Sequence, residues 1–521
     1  MGQTLEARLR HLSTPDLAGL VRGGQRGVER ECLRITPAGQ LAQTPHPRAL
    51  GSALTNQYIT TDYSEALLEF VTPPQLSNWE TIQFLCDVQQ FVMARIGDEL
   101  LWPLSMPCSI SCDADVPLAL YGTSNIGRMK TIYRRGLGHR YGRIMQAISG
   151  IHYNYSLPDA FWPLYQALEG QSGDLQAFRS AAYLGAVRNV RRFDWLLLYL
   201  FGASPALCKT FVGGREVTGL EELDSGTLYG PFATSLRMSD LGYRNSAQAN
   251  LVVSANSLDE YVRDLYQATQ VPRSEFEEIG VQVDGEYRQL NANQLQIENE
   301  FYSTIRPKRV THTGERPTEA LRRGGVQYLE LRALDISPWD PVGINQRQLR
   351  FLEVFLVYCL LEESPPISAA EQEGIDCNHG LVARSGREPG LRLIQGDGST
   401  GMQEWGAAIC ADMIQVARLI DPTEQQGHVE AIRHQLLAVE DPERTPSAAL
   451  LRDLREQQQS LAGYGLELAR RTRDYFAALA PELNRHREQL VAEAADSLAR
   501  QARIEAAGEP PFDEYLASYL A

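Results

Sequence analysis

Cysteine is scarce: there are eight in 521 residues, Cys108 and Cys112 are the closest pair, and no Cys-x-x-Cys occurs. This spacing excludes a disulfide framework and a zinc cluster, and predicts reduced thiols in a cytoplasmic chain. No apolar run reaches membrane-spanning length. Met1 to Gly24 is charged throughout and has no apolar h-region, so no signal peptide is expected. Basic charge is in deficit, with 49 Lys and Arg against 65 Asp and Glu, a net charge of −16. A nucleic-acid partner and an anionic membrane surface are therefore excluded. An anionic nucleotide can still bind where metal ions and a local basic cluster mediate. Walker A, protein-kinase, G-x-S-x-G and H-E-x-x-H motifs are all missing. Gly396-Asp397-Gly398-Ser399-Thr400-Gly401 matches G-x-G-x-x-G literally, but its surroundings are not βαβ. It reads as a surface turn. There is no internal repeat and no long disordered linker.

What is present is a chain long enough for a large core, with an ordinary apolar share. Residues 3–22 carry leucines at helical spacing, broken near Pro15-Asp16. Helices are predicted over 77–97, 175–201, 257–269 and 347–363, and through most of 425–506. The segment 121–148 is basic and aromatic for so acidic a chain, and each of its arginines taken alone reads as part of a solvated helix face. The organisation predicted is one catalytic unit over 1–521. Its sheet-bearing core spans about 20–365, and a helical C-terminal wrap spans about 366–521.

The chemistry concentrates in four segments that read as strands: 28–34, 65–71, 150–157 and 326–334. Side chains alternate faces along a strand. In Gly27-Val28-Glu29-Arg30-Glu31-Cys32-Leu33-Arg34, Glu29 and Glu31 therefore share one face and Arg30 takes the other. The same alternation puts Glu69, His152, Glu330 and Arg332 on the polar faces of the other segments, with Asp62 just before the second. Two readings stay open. Each face is solvated, or the acids converge around a hard divalent cation, for which oxygen-rich clusters are suited. His152 is the least typical member of such a set, fitting a ligand that also suits Mn²⁺ or a donor to a ligand.

Several collinear stretches carry a resemblance. They are Gln25 to Glu31, Leu50 to Phe70 (LGSALTNQYITTDYSEALLEF), Trp102 to Cys108, Tyr121 to Asn125, Ser149 to Asn154, Ala233 to Tyr243, Leu295 to Val310 and Gly324 to Ile336. In these the chain resembles the proteobacterial-type glutamate–cysteine ligases (γ-glutamylcysteine synthetases) from residue 20 to about 360, and the likeness fades after about 365. The resemblance implies an α+β, glutamine-synthetase-like fold: a curved, mostly antiparallel sheet forming a funnel-shaped active site, with helices on its outer face. It implies ATP-dependent joining of the L-glutamate γ-carboxyl to the L-cysteine amine through γ-glutamyl phosphate, the first step of glutathione synthesis. By matching motif, Glu29, Glu31, Asp62, Glu69, His152 and Glu330 would hold two or three Mg²⁺ ions, with Mn²⁺ able to substitute. Glu330 and Arg332 would be catalytic, Arg332 acting on the transferred phosphoryl group. Tyr133, Arg237, Tyr243 and Tyr302 would shape the cysteine pocket, with Arg237 facing a substrate carboxylate. Arg306, Lys308 and Arg309 would contact nucleotide phosphates. A monomer is expected. The rival readings are another carboxylate–amine ligase on the same scaffold, and a non-catalytic sensor of nucleotide or glutamate.

Overall fold

The computed structural model describes residues 3–213, 217–242, 251–312, 314–421 and 426–520. Seven strands form its main sheet: β1 (Gln25–Ile35), β2 (Ile59–Thr61), β3 (Leu67–Val71), β4 (Leu100–Leu101), β5 (Ile151–Ser156), β6 (Ile305–Lys308) and β7 (Tyr328–Leu334). Their order is β6-β7-β5-β1-β3-β2, with β4 pairing the far end of β1. Every pairing in this sheet is antiparallel. The four segments read as strands from sequence are thus neighbours, and β1 lies between β3 and β5.

One face of the sheet is covered by helices. Val28, Cys32, Leu68, Phe70, Ile151, Tyr153, Leu329 and Leu331 enter the main core from the sheet. Helices Asn78–Met93, Leu175–Phe201 and Gln346–Leu361 supply the apolar partners, including Phe84, Leu197 and Phe355. The first of these starts where predicted because Ser77 accepts the amide of Glu80 at 3.1 Å, satisfying a first-turn donor. A reciprocal Asn345–Gln348 capping box opens the third. Burial of this apolar face is the main favourable term holding the layers together.

The covered face is not purely apolar, in keeping with the alternation that puts Arg30 on it. Arg26, Arg30 and Arg34 are all buried there. Arg26 pairs with Glu353, and Arg30 donates to Gln89 and, at 3.0 Å, to the Pro341 carbonyl. Glu65 differs from expectation. Strand β3 begins at Leu67, and the Glu65 carboxylate is used locally, accepting the Leu120 amide at 2.6 Å. The basic helix Asn125–Tyr141 is not a solvated face either. Arg140 is fully buried against Glu300 at 2.9 Å, and Arg134 donates to the Asp62 carbonyl while lying 4.5 Å over the Tyr121 ring.

The C-terminal helices pack against the core. Helix Leu461–Ala478 lies on β4 and on helix 78–93. Helix Arg487–Ala506 holds the loop before β2 through Ser497, which accepts the Ser52 amide at 3.0 Å. Phe512, in the last helix, sits under Arg128 at 4.3 Å. The Gly396–Gly401 motif supplies the turn and the second strand of a surface hairpin, Arg392–Gln395 with Gly398–Gly401, and not a strand-to-helix phosphate loop. The thiol reading needs correction: Cys108 and Cys208 form a disulfide across 100 residues, and the other six cysteines are free. Their separation in sequence hid the pairing, which the fold creates. Among the described residues no helix is long and apolar enough to cross a membrane.

Candidate functional site

The opposite face of the sheet gathers the acids, with Glu31, His152 and Glu330 buried. Register sets Glu31 opposite Glu69, and Glu29 opposite His152. On the next strand pair, Glu330 stands opposite both Asn154 and Arg306. One ligand atom from each of Glu29, His152 and Glu330 lies within 4.8 Å of the others. His152 is the hinge of the cluster: its Nδ1 is 3.0 Å from Glu29 Oε2, and its Nε2 is 3.6 Å from Glu31 Oε1. Glu31 Oε2 also accepts the Gly150 amide at 2.7 Å.

Cations edge the cluster on one side. Arg332 Nη1 donates to Glu330 Oε1 at 2.9 Å and lies 3.5 Å from His152 Nδ1. Lys308 Nζ is 3.3 Å from Glu330 Oε2. A register irregularity between Leu331 and Leu334 lies at Arg332, where strands next to active sites commonly bulge.

Electrostatics divides the acids. Burial works against the ionised form of Glu330, but Lys308, Arg332 and Arg306 hold its carboxyl well below the usual range. Glu29 is also lowered: burial and the Glu330 charge oppose this, and the His152 hydrogen bond together with the charges of His152 and Lys308 prevails. Burial pushes Glu31 up, with His152 in opposition. Burial, reinforced by the charges of Glu29, Asp62 and Glu31, pushes Glu69 well above the ordinary carboxylate value. Neither the Glu69 nor the Asp62 carboxylate has a hydrogen bond or ion pair among the described residues. Glu330 Oε2 is buried without a hydrogen bond. Five carboxylates and one imidazole, with unsatisfied oxygens and crowded like charge, make a donor set that fits hard divalent cations.

A cavity of about 590 Å³ opens beside this cluster and is lined by His152, Arg332, Arg237 and Tyr302. Its far wall comes from helices Leu175–Phe201 and Ala369–Ser385, through Asp194 and His379. Tyr302 bonds Gln146 at 2.9 Å. Tyr133, on helix 125–141, is close enough to Tyr302 that burial, Glu300 and Tyr302 together push its hydroxyl well up. Tyr243 lies outside the described residues.

The basic trio separates. Lys308 reaches Glu330. Arg306 is buried beside it and donates to the Asn299 carbonyl at 3.0 Å and to the Phe301 carbonyl. Arg309, past the end of β6, folds away to the Gly325 carbonyl at 3.3 Å.

Asn154 was missed as a site residue, although alternation puts it on the face of His152; it donates to Glu29 Oε1 at 2.9 Å. Asp194 and His379 carry no sequence signal, because they come from helices with no motif.

Comparisons with known proteins agree with one another. A family model described as glutamate-cysteine ligase matches residues 9–382. The chain is 51% identical to a glutamate–cysteine ligase of Alcanivorax borkumensis over 99% of each chain. It is similar in structure to a glutamate–cysteine ligase of Francisella tularensis solved in complex with AMP: TM-score 0.89, 36% identity, 96% of this chain and 97% of that one covered. A bifunctional glutathione synthetase of Pasteurella multocida shares the fold at TM-score 0.73 and 24% identity, covering 92% of this chain and 56% of that one.

Proposed function

The chain belongs to the glutamate–cysteine ligase family, and from that premise we propose that it joins the γ-carboxyl of L-glutamate to the amine of L-cysteine, consuming ATP through γ-glutamyl phosphate. The product, γ-glutamylcysteine, is the precursor for glutathione. The observation that carries this reading is the acid cluster with Arg332 at its edge and a cavity leading from Arg332 to Arg237 and Tyr302. One end suits a polyphosphate and the other suits an amino acid.

A carboxylate is a poor acyl donor. In the proposed sequence a γ-carboxylate oxygen attacks the terminal phosphorus of ATP and ADP leaves. The free amine of cysteine then attacks the acyl carbon, and phosphate departs as the amide forms. Glu29, Glu31, Asp62, Glu69, His152 and Glu330 would hold two or three Mg²⁺ ions, which neutralise the crowded phosphate and carboxylate oxygens when bound. Arg332, fixed by Glu330, presents a planar fork to the phosphoryl group in flight. Lys308 holds Glu330 ionised and offers a cation on the nucleotide side, with Arg306 behind it. Arg237 and Tyr302, with Tyr133, form the acceptor end. We assign Arg309 no contact with the cluster, because it bonds elsewhere.

The reading includes a glutamine-synthetase-like, funnel-shaped site, one catalytic unit spanning residues 1–521, a cytoplasmic setting and a single-chain enzyme with no nucleic-acid or membrane partner. The test is phosphate release from ATP with Mg²⁺ and glutamate, before and after adding cysteine or 2-aminobutyrate. Release should depend on the acceptor amine, and Glu330→Gln or Arg332→Ala should cut it on the order of a thousandfold in folded protein. Release indifferent to any acceptor, or near wild-type turnover in either variant, overturns it.

A further inference from the structure

Arg237 has an unusual seat. It lies in the short turn Leu236–Met238, is about 1% exposed, and yet reaches the cavity that Arg332 lines. Its guanidinium is fixed from three directions. Nη2 donates to the backbone carbonyl of Arg332 at 3.1 Å. A Cβ added to Gly150 would fall 2.0 Å from Nη2 and 2.5 Å from Cζ, so only glycine leaves room for the plane of the group. Nη1 lies 3.6 Å from Oδ1 of Asp335, a carboxylate that is itself buried.

Asp335 in turn is held on both oxygens. Oδ2 accepts the Ala203 amide at 2.8 Å and the Ser204 hydroxyl at 2.6 Å, and Oδ1 accepts the Ser235 hydroxyl at 3.0 Å. The aspartate therefore cannot swing away, and its charge sits at a fixed point behind the guanidinium. It follows directly on β7, three residues after Arg332. One stretch of chain thus supplies the phosphoryl-facing Arg332 side chain, the carbonyl that holds Arg237, and the carboxylate behind Arg237.

We propose that Asp335 is a positioning residue that aims Arg237 at the α-carboxylate of the acceptor amino acid, with Gly150 providing the space for that aim. The proposal rests on the reading of Arg237 as the acceptor's carboxylate receptor. Asp335 touches no substrate. Its effect is on recognition of a carboxylate, so an acceptor amine lacking that group is indifferent to it. A buried charge pair whose members are each anchored by other hydrogen bonds fixes geometry strongly, because either charge left alone is costly.

The experiment compares cysteine with cysteamine, its analogue without the carboxylate, in the full chain with ATP, glutamate and Mg²⁺. Arg237→Ala should raise the KM for cysteine and leave that for cysteamine unchanged. Asp335→Asn should raise the cysteine KM about tenfold, as loss of the buried charge facing the guanidinium does, with the cysteamine KM unchanged. In an Arg237→Ala background it should add nothing further. If Arg237→Ala affects both acceptors alike, the carboxylate reading fails and takes this proposal with it. If Arg237→Ala discriminates and Asp335→Asn shifts both acceptors equally, or neither, the proposal alone fails. Should Asp335→Asn not fold, Ser204→Ala removes one anchor of the same carboxylate. It should raise the cysteine KM about threefold and spare cysteamine, and no selective shift overturns the proposal.

Discussion

Replacing Glu69 by glutamine should stabilise the metal-free protein and weaken the metal-bound one. Glu69 stands opposite Glu31, and its carboxyl is pushed well up by burial and by the charges of Glu29, Asp62 and Glu31. Opposed residues on a sheet face put their carboxylates about 6 Å apart, and at an effective dielectric of about 20 two full charges there repel by ~3 kcal/mol. Protonation relieves part of this, leaving a net cost of about 1–2 kcal/mol. The sign follows from proton linkage. An acid whose pKa is raised on folding holds its proton more tightly in the folded state. Stability therefore falls as pH climbs above the ordinary glutamate value, and the loss is complete above the raised value. Thermal unfolding in chelator should consequently show Glu69→Gln more stable than wild type at about pH 8, and the two alike at about pH 4, where Glu69 is protonated. Saturating Mg²⁺ should invert the order. A cation at a hundred times its dissociation constant stabilises its host by about 2.7 kcal/mol, and the variant has lost one oxygen of the proposed donor set. A Glu69→Gln protein that is destabilised in chelator, or that gains as much from Mg²⁺ as wild type, would refute the reasoning.

Two other outcomes are expected. His428 is held by Asp421 at 2.7 Å and Glu353 at 3.2 Å; burial works against its charge, but these carboxylates raise it above its ordinary value. Its contribution is thus complete below about pH 6.5 and lost as pH rises through the raised pKa, so unfolding midpoints across that window should fall for wild type and stay flat for His428→Gln. Arg30→Met should lose about 1–3 kcal/mol of stability, because the buried Gln89 Oε1 loses its donor while the Pro341 carbonyl keeps only Gln89 Nε2. Its turnover per folded molecule should match wild type, and a large drop in kcat would place Arg30 at the chemistry instead.

The site was legible where alternation along a single strand decides it. Glu29, Glu31, His152, Glu330 and Arg332 were placed on one face by counting, and the structure puts them within a few ångströms. Which strand lies beside which was not legible from periodicity, since antiparallel partners are chosen by contacts between distant segments. The opposition of Glu31 to Glu69 is therefore a structural finding. The same limit hid the Cys108–Cys208 bond and the cavity wall at His379. Charge type misled where partners are distant in sequence. Arginines were read as solvated in the 121–148 segment, and on β1 alternation gave Arg30 its face but no partner, yet Arg140, Arg26 and Arg30 are buried because Glu300, Glu353 and Gln89 meet them. Sequence neighbours also parted company: Lys308 closes on Glu330, and Arg309 turns away because the strand ends between them.

The two-sided charge of β1 has a consequence for how the chain finds its pairing. A strand displaced by one residue against its neighbours presents every side chain to the opposite side. For most strands such a slip merely exposes apolar groups. Here it would drive Glu29 and Glu31 into a core already holding Glu353, and would bring Arg26 and Arg30 out over Glu69 and Glu330, removing the proposed cation site at the same stroke. A misaligned β1 is thus rejected twice, by uncompensated carboxylates among the helices and by the loss of everything a divalent ion could stabilise. Strand alignment and ion binding become one test, passed or failed together during folding.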